Sequence, residues 1–561
     1  EFDPSFKDKD FLELPLKEEN FIVDNIKLDK GIAKNRALLE NIFSLFVAIN
    51  SKVPIFIVGK PGCSKSLSVQ LIINSMQGSA SKKPFFKEYP KIMVHSYQGS
   101  LTSTSKGVEN IFNKARDVNK KLSPEEKKNN ISLIFFDEMG LAEHSPNNPL
   151  KVIHAELEYD QNEGDKKVAF IGISNWILDA AKMNRGISIS IPEPDEEDNR
   201  ETSLTIGKSY DELLANRYKS FFENLGTAYF KYKSYLKEGY NLDGKEDFHG
   251  NRDFYHLVKN ASRNIIAKER NNQLNDETLI ESAIDSIERN FSGIQFTDKT
   301  SLEIFKDIFN KIYPCPTKKE YDVLKRIKEN IVDLESRYLL VFTKSSISTF
   351  LLSSILSDME KPYSFYIGSQ FEKDLNKEEY ALKVLNKIQY HMEKGNILIL
   401  KNLESVYPNL YDLFNQNFTV FSNKCYARLA VGSNTNTFAY VDNDFRCIVS
   451  VDIEQMNNEE APFLNRFEKH VISFEYLLNN ELIKESENIK STLDLLVKCN
   501  SNMFKAVNYD LEKLLINGSI EEIQALVYQA NKEKKKKEEI LDYVLEKIAL
   551  TLPQDIIVNN R

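Results

Sequence analysis

Cysteine is scarce and scattered. Cys63, Cys315, Cys425, Cys447 and Cys499 are the five in 561 residues, and no two form a CxxC pair. Such spacing argues against a zinc site or a disulfide framework and for a reducing compartment. No apolar run approaches the ~18 residues of a membrane-crossing helix, and the first residues carry no signal-peptide pattern. A one-sided charge is missing too: 74 Lys and Arg stand against 83 Asp and Glu, a net charge of −9. That mild acidity does not suit a chain built to wrap nucleic acid, although a local basic stretch such as NKARDVNKKL (113–122) remains. No short-period repeat is present, and no NKxD segment of the kind that reads a guanine base. The chain begins at Glu1-Phe2 without an initiator Met and reads as a piece of something longer.

What is present is globular: 41% hydrophobic and 28% charged residues, over a length sufficient for roughly three to four domains or two larger two-part modules. Residues 1–195 read as an α/β unit. Short apolar runs at Ile55–Val58, Ile92–His95, Leu133–Phe136, Val168–Ile173 and Ile187–Ile191 suit parallel strands buried on both faces. Residues 196–310 turn helical, with apolar spacings of three and four in YDELLANRYKSFFENL and DETLIESAIDSIERNF and a stop at Gly293, as a lid would require. The prolines of YPCPTKKE (313–320) mark a boundary. A second α/β unit is expected over 311–476, with strands at Tyr338–Phe342, Ile397–Leu400 and Phe445–Val451, and a helical lid or tail over 477–561. NKEKKKKEEI (531–540) reads as a solvated helix face or loop.

The chemistry concentrates in IFIVGKPGCSKS, an apolar strand that runs into a Gly-Pro-Gly loop and then a helical pattern. Such a layout predicts a polyphosphate cradle made by Gly59, Lys60, Pro61, Gly62, Cys63, Ser64, Lys65, Ser66 and Leu67. Lys65 would reach the β and γ oxygens, and the Ser66 hydroxyl would ligate Mg²⁺. Ser64 stands where glycine is usual. In LIFFDEMG, Asp137 and Glu138 fall at the carboxyl end of a buried strand beside that loop: Asp137 as a second holder of Mg²⁺, Glu138 as general base for the attacking water. FIGISN ends a further strand in Asn175, an amide able to position that water. Arg185 in KMNRG and Arg252 in HGNRDFYHLVK are cations at the core rim and the lid, where they could neutralise charge on a transferring phosphoryl group. Each element has a plainer explanation, as a turn, a strand end or a surface residue. Their order is what selects an AAA+ ATPase. Cys63 is expected to be a loop filler, Trp176 a packing residue, and His144 and His154 not metal ligands.

Longer stretches, among them GIAKNRALLENIF, VGKPGCSKSLS, DEMGLAEHSPNNPLKVIHAELE, ISNWILDAAKMNRG, HGNRDFYHLVKNASR, LILKNLESVYPNLYDLFNQ and APFLNRFEKH, resemble the AAA+ core of the mysterin family. Its members are giant RING-type E3 ubiquitin ligases whose six AAA modules form a dynein-like ring. The resemblance implies two consecutive tandem AAA+ modules, each a parallel-sheet P-loop subdomain followed by a helical lid. It also implies neighbouring AAA modules of the same parent chain as partners, and a ubiquitin-conjugating enzyme reached only through the parent. The RING and the ubiquitin-transfer residues have no counterpart here. Ile32 and Ala33, in GIAKN, lie where the resemblance places adenine.

The second module departs from the pattern. TKSSISTF has no glycine and no Lys-Ser pair in register, and Lys401-Asn402 replaces the Asp-Glu pair, so this module is expected not to hydrolyse nucleotide. It keeps NRFEKH, whose Arg466 matches the arginine of KMNRG. In dynein-like chains the finger comes from the next module, which implies that Arg466 completes the site of Lys65 and Glu138. A salt bridge within its own module is the alternative. Two functions are therefore carried forward: Mg²⁺-dependent ATP hydrolysis, and an ATP-gated scaffold with little turnover.

Overall fold

The structure is a computed structural model that describes residues 8–158, 167–239, 245–296, 299–314, 321–371, 374, 378–431, 435–501 and 519–551. Apolar, partly β-branched runs form the first sheet: β1 (Ile55–Val58), β2 (Lys91–Gln98), β3 (Asn130–Asp137), β4 (Ala169–Ser174) and β5 (Ile187–Ser190). All pair in parallel in the order β2-β3-β4-β1-β5. Strand β4 therefore separates β3 from β1, so the acidic pair lies two strands from the phosphate loop instead of next to it. Both faces of the sheet are covered. Leu38, Leu45 and Ile72 pack on one side and Phe112, Phe136 and Phe170 on the other, as expected for a parallel sheet flanked by helices.

A second five-stranded parallel sheet repeats the plan. Its strands are β6 (Leu339–Thr343), β7 (Tyr363–Ile367), β8 (Ile397–Lys401), β12 (Arg446–Asp452) and β13 (Glu468–Ile472), ordered β13-β6-β12-β8-β7. Between its third and fourth strands the chain makes an antiparallel insert of β9 (Thr419–Phe421), β10 (Lys424–Val431) and β11 (Thr435–Val441). The aromatic β7, the charged β13 and this insert were not anticipated from the sequence.

Helices occupy the chain between and after the sheets. The segment expected as one helix over YDELLANRYKSFFENL is broken. Glu196–Tyr210 ends before Asp211, which caps the short helix Glu212–Arg217, and Lys219–Gly239 follows. Asn251–Arg270, Asp276–Asn290 and Ser301–Ile312 complete the group, the last with a Thr300–Glu303 capping box. These helices do not form a separate core. Phe254, Leu257, Phe291 and Phe305 share one apolar cluster with Tyr338, Phe342, Leu398 and Phe445 of the second sheet. Buried ion pairs cross the same seam: Asp253 with Arg337 (2.8 Å) and Lys469 (2.7 Å), and Arg289 with Glu468 (2.9 Å). The first helical group and the second sheet thus pack as one block, and the first sheet faces it. Helices Asn480–Ser501, Ile520–Lys532 and Lys537–Thr551 close the chain around their own cluster of Ile523, Val527 and Val544. Residues 531–536 are solvated, while 315–320 of the proline-marked boundary lie outside the described residues. No helix among the described residues is long and apolar enough to cross a membrane.

Candidate nucleotide site

Strand β1 delivers the chain into a loop that enters helix Lys65–Ser75. Gly62 has φ +88° and Ser64 φ +56°, so the loop passes twice through left-handed backbone. Turns of this kind expose successive N–H groups to an anion. At Gly62 a Cβ would fall 2.7 Å from Asn251 Cβ, so glycine is what lets helix Asn251–Arg270 close over the loop. Tyr255 Oη donates to Gly62 O at 2.8 Å and Asn251 Nδ2 to Cys63 Sγ at 3.7 Å, which docks that helix there.

Lys65 Nζ donates to three neutral oxygens: Gly59 O, Lys60 O at 2.9 Å and Asn175 Oδ1 at 3.1 Å. Burial lowers its pKa to about 8. Asn175 follows β4, and its Nδ2 donates to Glu138 Oε2 at 2.9 Å. Glu138 follows β3 in left-handed backbone, φ +52°. Gly99, after β2, permits this, because a Cβ there would sit 2.2 Å from Glu138 O. Asp137 lies beside it, and burial, then the Glu138 charge, push its carboxyl above the usual range.

The remaining groups come from across the seam. Arg466 Nη2 donates to Glu138 Oε1 at 2.7 Å, Nη1 donates to Pro462 O, and the guanidinium lies 3.5 Å from the Tyr411 ring centroid. Arg252, at the start of its helix, donates Nη1 to Asn415 Oδ1 at 2.5 Å. Burial, then the nearby Arg466 charge, bring its pKa down to about 10. Arg428 of β10 donates Nε to Asp412 Oδ2 at 2.6 Å, and its Nη2 is 4.0 Å from Asp137 Oδ2.

These side chains surround a cavity of about 400 Å³. Pro61, Gly62, Ser64, Lys65, Ser66, Leu67, Asp137, Glu138, Asn175, Arg252 and Arg466 are on its walls. Gly59, Lys60 and Cys63 are not. Lys60 turns to Glu193 (2.5 Å) and Asp247 (2.7 Å), and Cys63 is buried with its thiol pKa raised by that burial, as a loop filler should be. Ile32 and Ala33 also lie off the cavity: Ile32 packs on the core of the first sheet and Ala33 is buried. Arg185 pairs with Glu158. Trp176 packs on Gly140, where a Cβ would fall 2.5 Å from the indole.

A magnesium ion fits this donor set. Ser66 and Asp137 offer hard oxygens on one cavity, and no group of three or more His, Cys, Asp or Glu among the described residues could hold a metal alone. Magnesium takes few protein ligands and completes its shell with phosphate and water.

The corresponding position of the second sheet is filled from within. Phe136 pairs with Gly172 and Leu400 with Val449, so three residues further on Asp452 stands where Asn175 stands. Lys401 Nζ donates to Asp452 Oδ1 at 2.7 Å and Thr349 Oγ1 at 3.1 Å. The chain after β6 forms a short 3₁₀ turn, Ser346–Phe350, whose Ser348 Oγ donates to Glu521 Oε2 at 2.6 Å. The backbone plan survives nonetheless. Asn402 has φ +56°, and a Cβ on Gly368 would lie 1.8 Å from Asn402 O, repeating Glu138 and Gly99.

Tyr411, Asp412, Asn415 and Arg428 were not predicted from the sequence. Each reaches the site only through the docking of the second sheet, and no local pattern marks it.

Residues 31–198 match the description of an RNF213 AAA domain, and residues 328–478 match a second such domain. The chain is similar to E3 ubiquitin-protein ligase rnf213-beta of Danio rerio, 34% identical over 484 residues, or 84% of this chain. It is similar to E3 ubiquitin-protein ligase RNF213 of Homo sapiens, 33% identical over 481 residues, or 82% of this chain. To that of Mus musculus it is 32% identical over 466 residues, or 80% of this chain. It spans only 9%, 9% and 8% of the length of these curated relatives.

Proposed function

The chain belongs to the RNF213 family, as tandem AAA+ modules of it, and from that premise we propose that the first module binds and hydrolyses ATP with Mg²⁺ while the second lends it Arg466. In this assignment 1–195 is the competent large subdomain, 196–310 its lid, 311–476 a degenerate large subdomain and 477–561 the second lid or tail. The observation that carries the proposal is the 2.7 Å contact between Arg466 and Glu138, made across the seam by side chains 328 positions apart.

Lys65, protonated near neutral pH, exchanges its three neutral oxygens for those of the β and γ phosphates. Glu138 takes the proton of the attacking water, and Asn175 holds that water by its amide. Both Glu138 oxygens are engaged here, by Arg466 and by Asn175. Transfer of Arg466 to the γ-phosphate, where it neutralises the charge that develops, removes the ion pair from Glu138 and makes it a stronger base. Coupling base strength to arginine transfer makes hydrolysis depend on the second module. Ser66 and Asp137 would hold Mg²⁺, which when bound withdraws charge from the β and γ oxygens. In the second module, Lys401 paired with Asp452 leaves neither a metal carboxylate nor a base.

The test is Glu138→Gln. Hydrolysis is expected to vanish while ATP binding persists. A specific observation favours a second reading, a nucleotide-gated scaffold of low turnover: Glu138 is held on both oxygens, and Ser64 puts a Cβ into left-handed backbone of the loop. Tight binding by the wild type with no ATP loss would select it. In either case the parent is a cytoplasmic E3 ubiquitin ligase, whose ring this region shapes and whose ubiquitin-conjugating enzyme binds elsewhere.

A further inference from the structure

We propose that Arg428 is a second arginine brought to the first site by the second module, and that it competes with the divalent cation for Asp137. The proposal rests on the reading of Asp137 as a metal-holding carboxylate. Each acidic residue of the Asp137-Glu138 pair faces one arginine from across the seam: Glu138 faces Arg466 at 2.7 Å and Asp137 faces Arg428 at 4.0 Å. Both Arg428 and Asp137 are largely withdrawn from water, with side-chain exposures of 12% and 15%. Their interaction is therefore screened less than that of a surface pair.

Arg428 stays at this distance because Asp412, on the cavity wall, accepts its Nε at 2.6 Å. Asp412 thus sets how much of the cation Asp137 feels. A divalent ion entering at Asp137 meets a positive charge already in place. Arg428 must then be left to Asp412 alone, so the tether decides how easily the metal enters. Arg428 acts through Asp137 and is a positioning residue. It is carried by the middle strand of the antiparallel insert, which so acquires a contact with the metal side of the site.

The two members of the tether give opposite predictions. Arg428→Gln removes the competing cation and is expected to lower the half-saturating divalent concentration about five- to tenfold, the order expected of one poorly screened charge. Asp412→Asn frees the arginine to turn onto Asp137 and is expected to raise it about threefold. Arg428→Lys retains a cation and is expected to stay within about twofold of wild type. The measurement is binding of a fluorescent, non-hydrolysable ATP analogue to the whole chain, titrated with Mn²⁺ and then Mg²⁺, with thermal melts of each variant to establish folding. Arg428→Gln and Asp412→Asn break the same ion pair, so a merely structural role shifts both in one direction. A shift of equal sign, or none in either, overturns the assignment of Arg428 alone. Analogue binding by the wild type that ignores divalent ions overturns the reading of Asp137 and the inference together.

Discussion

Arg466 and Glu138 should be energetically coupled before any nucleotide arrives. The perturbation is a double-mutant cycle of Arg466→Met and Glu138→Ala. Arg466 also loses its stacking on Tyr411, 3.5 Å away. That loss occurs with either partner at position 138 and cancels in the cycle. What remains is the charge-assisted hydrogen bond at 2.7 Å. Such bonds contribute about 1.5–3 kcal/mol net. Side-chain exposures of 1% and 15% keep water from screening the pair, so the coupling should be about 2 kcal/mol, or roughly 30-fold in the unfolding equilibrium. The chain has one tryptophan, Trp176, adjacent to Asn175. Urea unfolding followed by its fluorescence therefore reports the first sheet in all four proteins. A coupling below about 0.5 kcal/mol, typical of an exposed pair, would refute a formed contact across the seam.

Further outcomes follow from the same geometry. Ser64→Gly removes a Cβ from φ +56° and should stabilise the first module by about 0.5–1 kcal/mol after the added chain entropy is counted, read from the same unfolding curves. Because burial holds free Lys65 near pKa 8 and phosphate keeps it charged when bound, analogue affinity should be flat below pH 8. Above that it should fall up to about tenfold per pH unit, and Lys65→Arg should abolish the pH-dependent fall. Lys401→Met strands Asp452, whose side chain is 29% exposed. It should destabilise the second module by about 1–3 kcal/mol, less than for a fully buried pair, while calorimetry still counts one nucleotide per chain.

The legible parts of this chain were those whose chemistry is local. A glycine loop between an apolar run and a helix, an acidic pair ending a strand and an amide ending the next need only their neighbours in sequence. Strand β13 was invisible for the opposite reason. Glu468, Lys469 and His470 look like a loop, yet all are buried because Arg289, Asp253, Tyr321 and Ser292 from other elements satisfy them. Strand β7, YSFYI, did carry a signal in its strand-favouring aromatics, although it follows Lys361-Pro362 and is only half-buried. The helix read through YDELLANRYKSFFENL starts where Asp211 caps it, accepting from Leu214 N, but breaks at Tyr218, whose N–H closes the short helix on Leu214 O before Lys219–Gly239 begins. Tyr411, Asp412, Asn415 and Arg428 could not be found from spacing, since their relation to Lys65 exists only in the docked pair of modules.

The measurement closest to the central claim is the turnover of Arg466→Ala beside its nucleotide affinity, on the whole chain. If the first module performs the chemistry with a borrowed cation, kcat falls by about 10³ or more while the dissociation constant of the analogue changes only a few-fold. Turnover equal to wild type, or ATP loss that survives Lys65→Ala, would contradict the account.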